Sequence, residues 1–161
     1  RCLLAMRTEI IEIITSFLGT LGFAILFNVK GKRLIAASFG GFLSWTIFLL
    51  LGKIIPSEPV CYLLVSTLIS FYAEIIARVL KTPTTTVLMT ALIPLVPGAS
   101  LYYTMAYALG SDVEKFLEKA LATLQLAGAL ALGIVITTMV MHTLYAIQIQ
   151  HKKKESYNGN D

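Results

Sequence analysis

Five apolar stretches, each long enough to cross a bilayer, take up most of this 161-residue chain. They run approximately over 10–29, 34–52, 60–79, 84–109 and 120–147, and about 20 residues suffice for a spanning helix. Their apolar residues surround the helix instead of forming one stripe, a pattern that belongs to a core or a membrane. Only 14% of the chain is charged, against about 25% in a soluble domain, and the mean hydropathy is +0.79. Several such helices leave no polar shell to enclose a core. The predicted fold is therefore an all-α integral membrane protein of about five spans, a single membrane domain over 1–150 with a basic polar tail over 151–161.

The net charge of +4 does not point to nucleic acid, because the basic residues follow the membrane topology. Lys30, Lys32 and Arg33 follow the first span, Arg78 and Lys81 the third, and Lys152, Lys153 and Lys154 the fifth. The other side holds the smaller set, Arg1, Arg7, Lys53, Lys115 and Lys119, amid Glu9, Glu12, Glu58, Asp112, Glu114 and Glu118. The positive-inside rule then puts the N-terminus outside and the C-terminus in the cytoplasm, in a cell membrane. The first span is too long for a signal-peptide core and lacks a small-residue cleavage site after it, so it is expected to be retained. Cys2 and Cys61 fall near the outer face; two cysteines are weak grounds for a disulfide, and the expectation is free thiols facing lipid.

Small residues let helices approach closely in membranes. Thr15, Gly19 and Gly22 supply them in the first span, Ala36, Gly40 and Ser44 in the second, and Ala129, Gly133 and Thr137 in the fifth. Pro56 and Pro59 suit a short external loop. Thr82 and Pro83 read as cap and first-turn proline of the next helix. Ser111 with Glu114 three residues on forms a capping box, after which Val113, Phe116, Leu117 and Ala120 share a face, an amphipathic lead-in to the fifth span. The tail HKKKESYNGND is expected to fray.

The fourth span is interrupted at its middle by LIPLVPGASLYYTM (92–105). Pro94 cannot donate to the carbonyl of Thr90, nor Pro97 to that of Ile93. Gly98 adds a residue able to turn where others cannot. Freed backbone groups are costly in hydrocarbon unless protein or a water-filled cavity meets them, and transporters build substrate sites from helices broken at the midplane. A second half-helix starting near Gly98 would offer the amides of Ala99, Ser100 and Leu101 to a carboxylate, with the hydroxyls of Ser100, Tyr102 and Tyr103 close by. The competing reading is a kink that only shapes packing.

Glu74 and Arg78 are four residues apart on one face, in the favourable order. They read either as a proton or charge relay, the default for intramembrane ionisable groups, or as an interfacial ion pair with Arg78 snorkelling. Asn28 reads as a helix cap and Glu12 as interfacial. His142 and His151 offer no metal spacing, and no cofactor is expected. A Ser100–His142 protease pairing lacks an orienting group and a glycine-flanked serine motif, so the chain is not expected to be an enzyme.

GFAILFNV (22–29), FYAEIIARVLKTPTT (71–85) and ALIPLVPGASLYYTM (91–105) resemble the threonine/serine exporter family, in its C-terminal or small-subunit half. The third stretch is the most specific, with Pro94, Pro97, Gly98 and Tyr102 in a P-x-x-P-G-x-x-x-Y arrangement. The resemblance implies a secondary exporter of threonine and serine, or of a dicarboxylate such as succinate, driven by the proton gradient. It also implies a larger homologous partner carrying the first half of the fold, the two halves forming an inverted pair around the site. A scaffold subunit whose partner holds the site is the alternative.

Overall fold

The computed structural model describes residues 2–110 and 113–158. The helices are α1 (Cys2–Leu26), α2 (Lys32–Gly52), α3 (Glu58–Val79), α4 (Thr84–Leu92), α5 (Gly98–Leu109) and α6 (Val113–Asn158), with one 3₁₀ turn, Ile93–Leu95, between α4 and α5. Thr8–Leu26, α2, α3 and Val113–Ile147 are each long and apolar enough to cross a membrane. Thr84–Leu95 and Gly98–Leu109 pass the same test together but are bent by 60° at the break, the geometry of a broken span or a re-entrant pair. The all-helical fold is as expected, with four spans, or five where the bent pair counts as one.

The helices end as their sequences dictate. α1 closes with Asn28 at φ 57, its N–H bonding Ile25 O while the Val29 N–H reaches Ala24 O, both at 2.9 Å. This is a Schellman cap, and Val29 packs on Ala24 beside it, as such caps commonly do. The cap expected at Asn28 is present. α3 closes the same way, with Lys81 at φ 47 and Thr82 N–H on Ala77 O. Thr82 therefore ends α3 instead of capping α4, whose N-cap is Pro83. Pro59 lies within the first turn of α3, where a proline's missing N–H costs nothing, and not in the loop.

α3 is the centre of the bundle. Tyr62, Val65 and Ile69 from α3, Ala91, Leu92 and Leu95 from the broken span, and Leu126 and Ala129 from α6 form the core, with Leu43, Ile47, Phe48 and Leu51 of α2 against it. Small residues set the closest approaches. A side chain at Gly133 would collide with Ser66 and the α3 backbone at Leu63 and Thr67, and Thr137 Oγ1 donates to Thr67 O at 3.1 Å. Gly40 sits against Ala91 and Tyr72, whose hydroxyl donates to Ala36 O at 2.8 Å. The faces expected on the second and fifth spans are thus contact faces. On α1 the face differs: Thr20 and Ala24 are buried and Ser16 is half-buried, while Thr15, Gly19 and Gly22 are exposed. A side chain at Gly41 would strike Thr20, so Gly41 is where α2 yields to α1.

Other expectations change. Cys61 is a free thiol but is buried, not lipid-facing; the side chain of Cys2 and the capping residue Ser111 lie outside what the structure describes. The tail expected to fray continues α6 to Asn158. At 1.5 Å per residue its 46 residues make a rod of about 69 Å, far longer than a bilayer core. In the lead-in, Phe116 and Ala120 are half-buried while Val113 and Leu117 are exposed.

Gly133→Leu is expected to lower stability by about 1–3 kcal/mol through overpacking against α3. Gly128→Leu on the same helix, where an added Cβ meets nothing within 4 Å, should change the thermal unfolding midpoint little.

Candidate functional site

The break has a definite cause. The residue before a proline is pushed out of the α region, and Val96, ahead of Pro97, is extended at φ −62, ψ 124. The carbonyls that the prolines leave unmet are not left open. Ile93 N–H reaches back three residues to Thr90 O, and Val96 N–H does the same to Ile93 O at 3.2 Å. The 3₁₀ turn thus tightens around both gaps. Gly98 N–H bonds Val96 O at 2.7 Å, and the first helical bond of α5 runs from Leu101 N–H to Pro97 O at 3.0 Å. The amides of Ala99 and Ser100 lie ahead of that bond, while that of Leu101 is taken. The glycines at positive φ do not include Gly98, and a Cβ there meets nothing within 4 Å. The turn comes from Pro97 and Val96, not from glycine's freedom.

By helix rise the break lies about 14 Å into the span from Thr84, near half of a bilayer core of about 30 Å. A cleft of about 290 Å³ opens beside it, lined by Glu12, Thr15, Ser16, Gly19 and Thr20 of α1, Trp45 of α2, and Ile93 and Pro94 at the break. Glu12 is the ionisable residue among them. The hydroxyls of the α1 wall are already engaged as donors. Thr15 Oγ1 donates to Ile11 O at 2.8 Å and Glu12 O at 3.0 Å. Ser16 Oγ donates to Gly41 O at 3.1 Å, and Thr20 Oγ1 to Ser16 O at 2.8 Å. One turn toward the helix start, Glu9 pairs with Lys53 at 2.9 Å and ties α1 to the end of α2. The Trp45 indole N–H is buried and has no hydrogen-bond partner among the described residues.

The site residues expected from sequence are dispersed. Pro94 lines the cleft. Thr90 is fully buried in the bundle, its hydroxyl on Thr86 O and Val87 O at 2.9 and 3.0 Å. Pro97 is half-buried and Gly98 and Ala99 exposed at the start of α5. Ser100 Oγ lies 2.6 Å from Thr123 Oγ1 of α6, which also meets Thr104 at 3.2 Å and donates to Lys119 O at 2.7 Å. Ser100 thus fastens α5 to α6 and is not paired with His142, which is exposed further along α6. Tyr102 and Tyr103 are exposed on α5, their rings in edge contact with each other. Glu74 and Arg78 form an ion pair at 3.4 Å, 16% and 48% exposed respectively, and the Arg78 guanidinium lies 5.7 Å over the Tyr145 ring. This pair is not among the groups lining the cleft.

Sequence reasoning missed Ser16, Thr20 and Trp45 as cleft residues and took Thr15 and Gly19 for a packing face. The signal was there: Glu12, Ser16 and Thr20 recur every four residues and so share one polar face of an apolar helix.

The fold is that of a multi-pass membrane protein with a broken helix beside a cleft whose α1 wall carries hydroxyls and a carboxylate. The chain belongs to the threonine/serine exporter family, ThrE, whose model matches residues 12–140. No curated protein and no solved structure matches it.

The Ser100–Thr123–Thr104 hydroxyl cluster is expected to couple α5 to α6 by about 0.6–1.7 kcal/mol, the range of interhelical hydrogen bonds in membranes. A double-mutant cycle of Ser100→Ala and Thr123→Val, read by unfolding in detergent, should show less-than-additive losses.

Proposed function

We propose that this chain is a transport subunit of a secondary exporter of small carboxylated metabolites, foremost threonine and serine, with its site at the break and the adjoining cleft. The observation that carries the reading is the cleft itself. At about 290 Å³ it sits at the lower end of ligand pockets, which run to about 300–1,000 Å³, and so suits a small metabolite. It meets the membrane-spanning bundle where the backbone is broken, the arrangement transporters use for substrate. The Ala99 and Ser100 amides at the start of α5 carry the positive end of the helix dipole and suit a carboxylate.

Export is coupled to the proton gradient in this reading, with the Glu74–Arg78 pair as the charge relay. The chain lies in the cell membrane with the N-terminus outside and the C-terminus in the cytoplasm, as the distribution of basic residues supports. It works with a homologous partner in an inverted pair. Support for a partner comes from α5, none of whose residues is buried although Leu101, Tyr102, Tyr103, Met105 and Leu109 are large and exposed. A dicarboxylate such as succinate is the substrate alternative, and a scaffold role the functional one.

The test is efflux of labelled threonine and succinate from proteoliposomes under an imposed proton gradient, with this chain alone and together with its candidate partner. Gradient-dependent threonine efflux from the pair alone is expected. Efflux from this chain alone would overturn the paired arrangement. Gly98→Leu, which crowds the start of α5, should reduce the rate several-fold with assembly intact; unchanged rate and selectivity would instead favour the scaffold role.

A further inference from the structure

The α1 wall of the cleft has an electrostatic sense that its composition alone does not reveal. Hydroxyls are ambivalent, since each can donate one hydrogen and accept others. Here the donations of Thr15, Ser16 and Thr20 all go to main-chain carbonyls. What they have left for the cleft is lone pairs. Beside them stands Glu12, whose carboxylate is also an acceptor and carries negative charge. The neighbouring cation, Lys53, is engaged by Glu9. Glu12 and Ser16 stand four residues apart on one helix face, about 6 Å along the axis, while Thr20, one turn further on, is fully buried against Gly41. A wall of acceptors with one carboxylate attracts a multiply donating cation. It repels a carboxylate, for which it has no hydrogen to offer.

We propose that this wall, with Glu12 as its charged member, is a cation subsite that takes the ammonium group of the exported substrate. The inference rests on the exporter reading and sharpens it. It makes the substrate a zwitterionic amino acid and makes Glu12 the residue that selects it over a dicarboxylate. An ammonium brings three donors and finds Glu12 and the hydroxyl oxygens of Thr15 and Ser16 within one helical turn. A substrate with a second carboxylate in place of the ammonium would face like charge and acceptors on this wall; the donor among the cleft residues, the Trp45 indole N–H, belongs to α2. A free monovalent cation shares the ammonium's chemistry, and the test separates the two.

The experiment measures binding of threonine, of its analogue with hydroxyl in place of the amino group, and of succinate to the purified complex of this chain with its candidate partner, by calorimetry with and without sodium. It compares wild type, Glu12→Gln, Glu12→Asp and, as a control outside the cleft, Glu118→Gln on the exposed face of α6. Wild type should prefer threonine. Glu12→Gln should weaken threonine by about 10- to 100-fold, as the loss of a hydrogen bond to a charged group implies, while leaving the analogue within about twofold. Glu12→Asp should recover part of the preference, and Glu118→Gln should keep it. Equal loss for threonine and the analogue, or undiminished preference in Glu12→Gln, would overturn the assignment with the exporter reading intact. Loss of a sodium effect with the threonine-to-analogue ratio unchanged would assign the wall to a free cation and overturn the ammonium role. Failure of wild type to bind threonine at all would overturn the exporter reading, and this inference with it.

Discussion

Hydrocarbon offers no hydrogen bonds, so every backbone group in the span must be met from within. The whole architecture depends on that constraint at one place, residues 93–97. Two prolines remove two donors from the fourth span, and the neighbouring backbone compensates. It shortens two bonds from four residues to three, and the Thr90 and Ile93 carbonyls are met by Ile93 and Val96. Leu95, fully buried in the middle of the interruption, anchors the turn to the bundle core, and the direction of α5 follows from what Val96 must do ahead of Pro97.

The same economy governs the hydroxyls. Serine and threonine on these helices mostly return their hydrogen to a carbonyl three or four residues back, the usual recourse of such residues inside a helix. A few reach across instead, Ser16 to Gly41 and Thr137 to Thr67, and these mark where two helices come closest. Glycine supplies the space at the same points, Gly41 and Gly133. Polar residues in this bundle thus do two things at once: they hold helices together, and their spent hydrogens give the cleft wall its character.

Much of the fold was legible because its signals are long. Twenty-residue apolar runs and a proline pair in the middle of one are hard to mistake, and the four-residue spacing of Ala129, Gly133 and Thr137 marks a contact face wherever it occurs. Asn28 was readable as a cap because few residues besides glycine accept φ near 57. What failed to read through were choices between neighbouring faces. Thr15–Gly19 and Ser16–Thr20 differ by one residue, about 100° of rotation on a helix, and only the packing of Gly41 against Thr20 decides between them. Gly98 misled for a similar reason: glycine permits a turn, but the neighbouring proline made it unnecessary. The tail was expected to fray on its polarity, a local signal, but the helix before it carries the same hydrogen-bond ladder on to Asn158.

The attachment of α5 bears on how the molecule could move. Its twelve residues contribute nothing to the buried core, and its ties are to α6, through Ser100, Thr104 and Thr123. On its other side it meets α4 through two non-helical residues, Val96 and Pro97. Mechanically, then, α5 is a passenger of α6 and not the second half of α4. Proline's ring fixes one of the four torsions at that junction, which leaves a joint with few degrees of freedom between two stiff bodies. One body is α1, α2, α3 and α4 with the cleft wall; the other is α5 with the segment of α6 it rides on. Moving α5 itself breaks no apolar contact that it has buried, whereas α6 is held to α3 through Leu126, Ala129 and Gly133, so any swing of α5 is limited by its hydroxyl ties to α6.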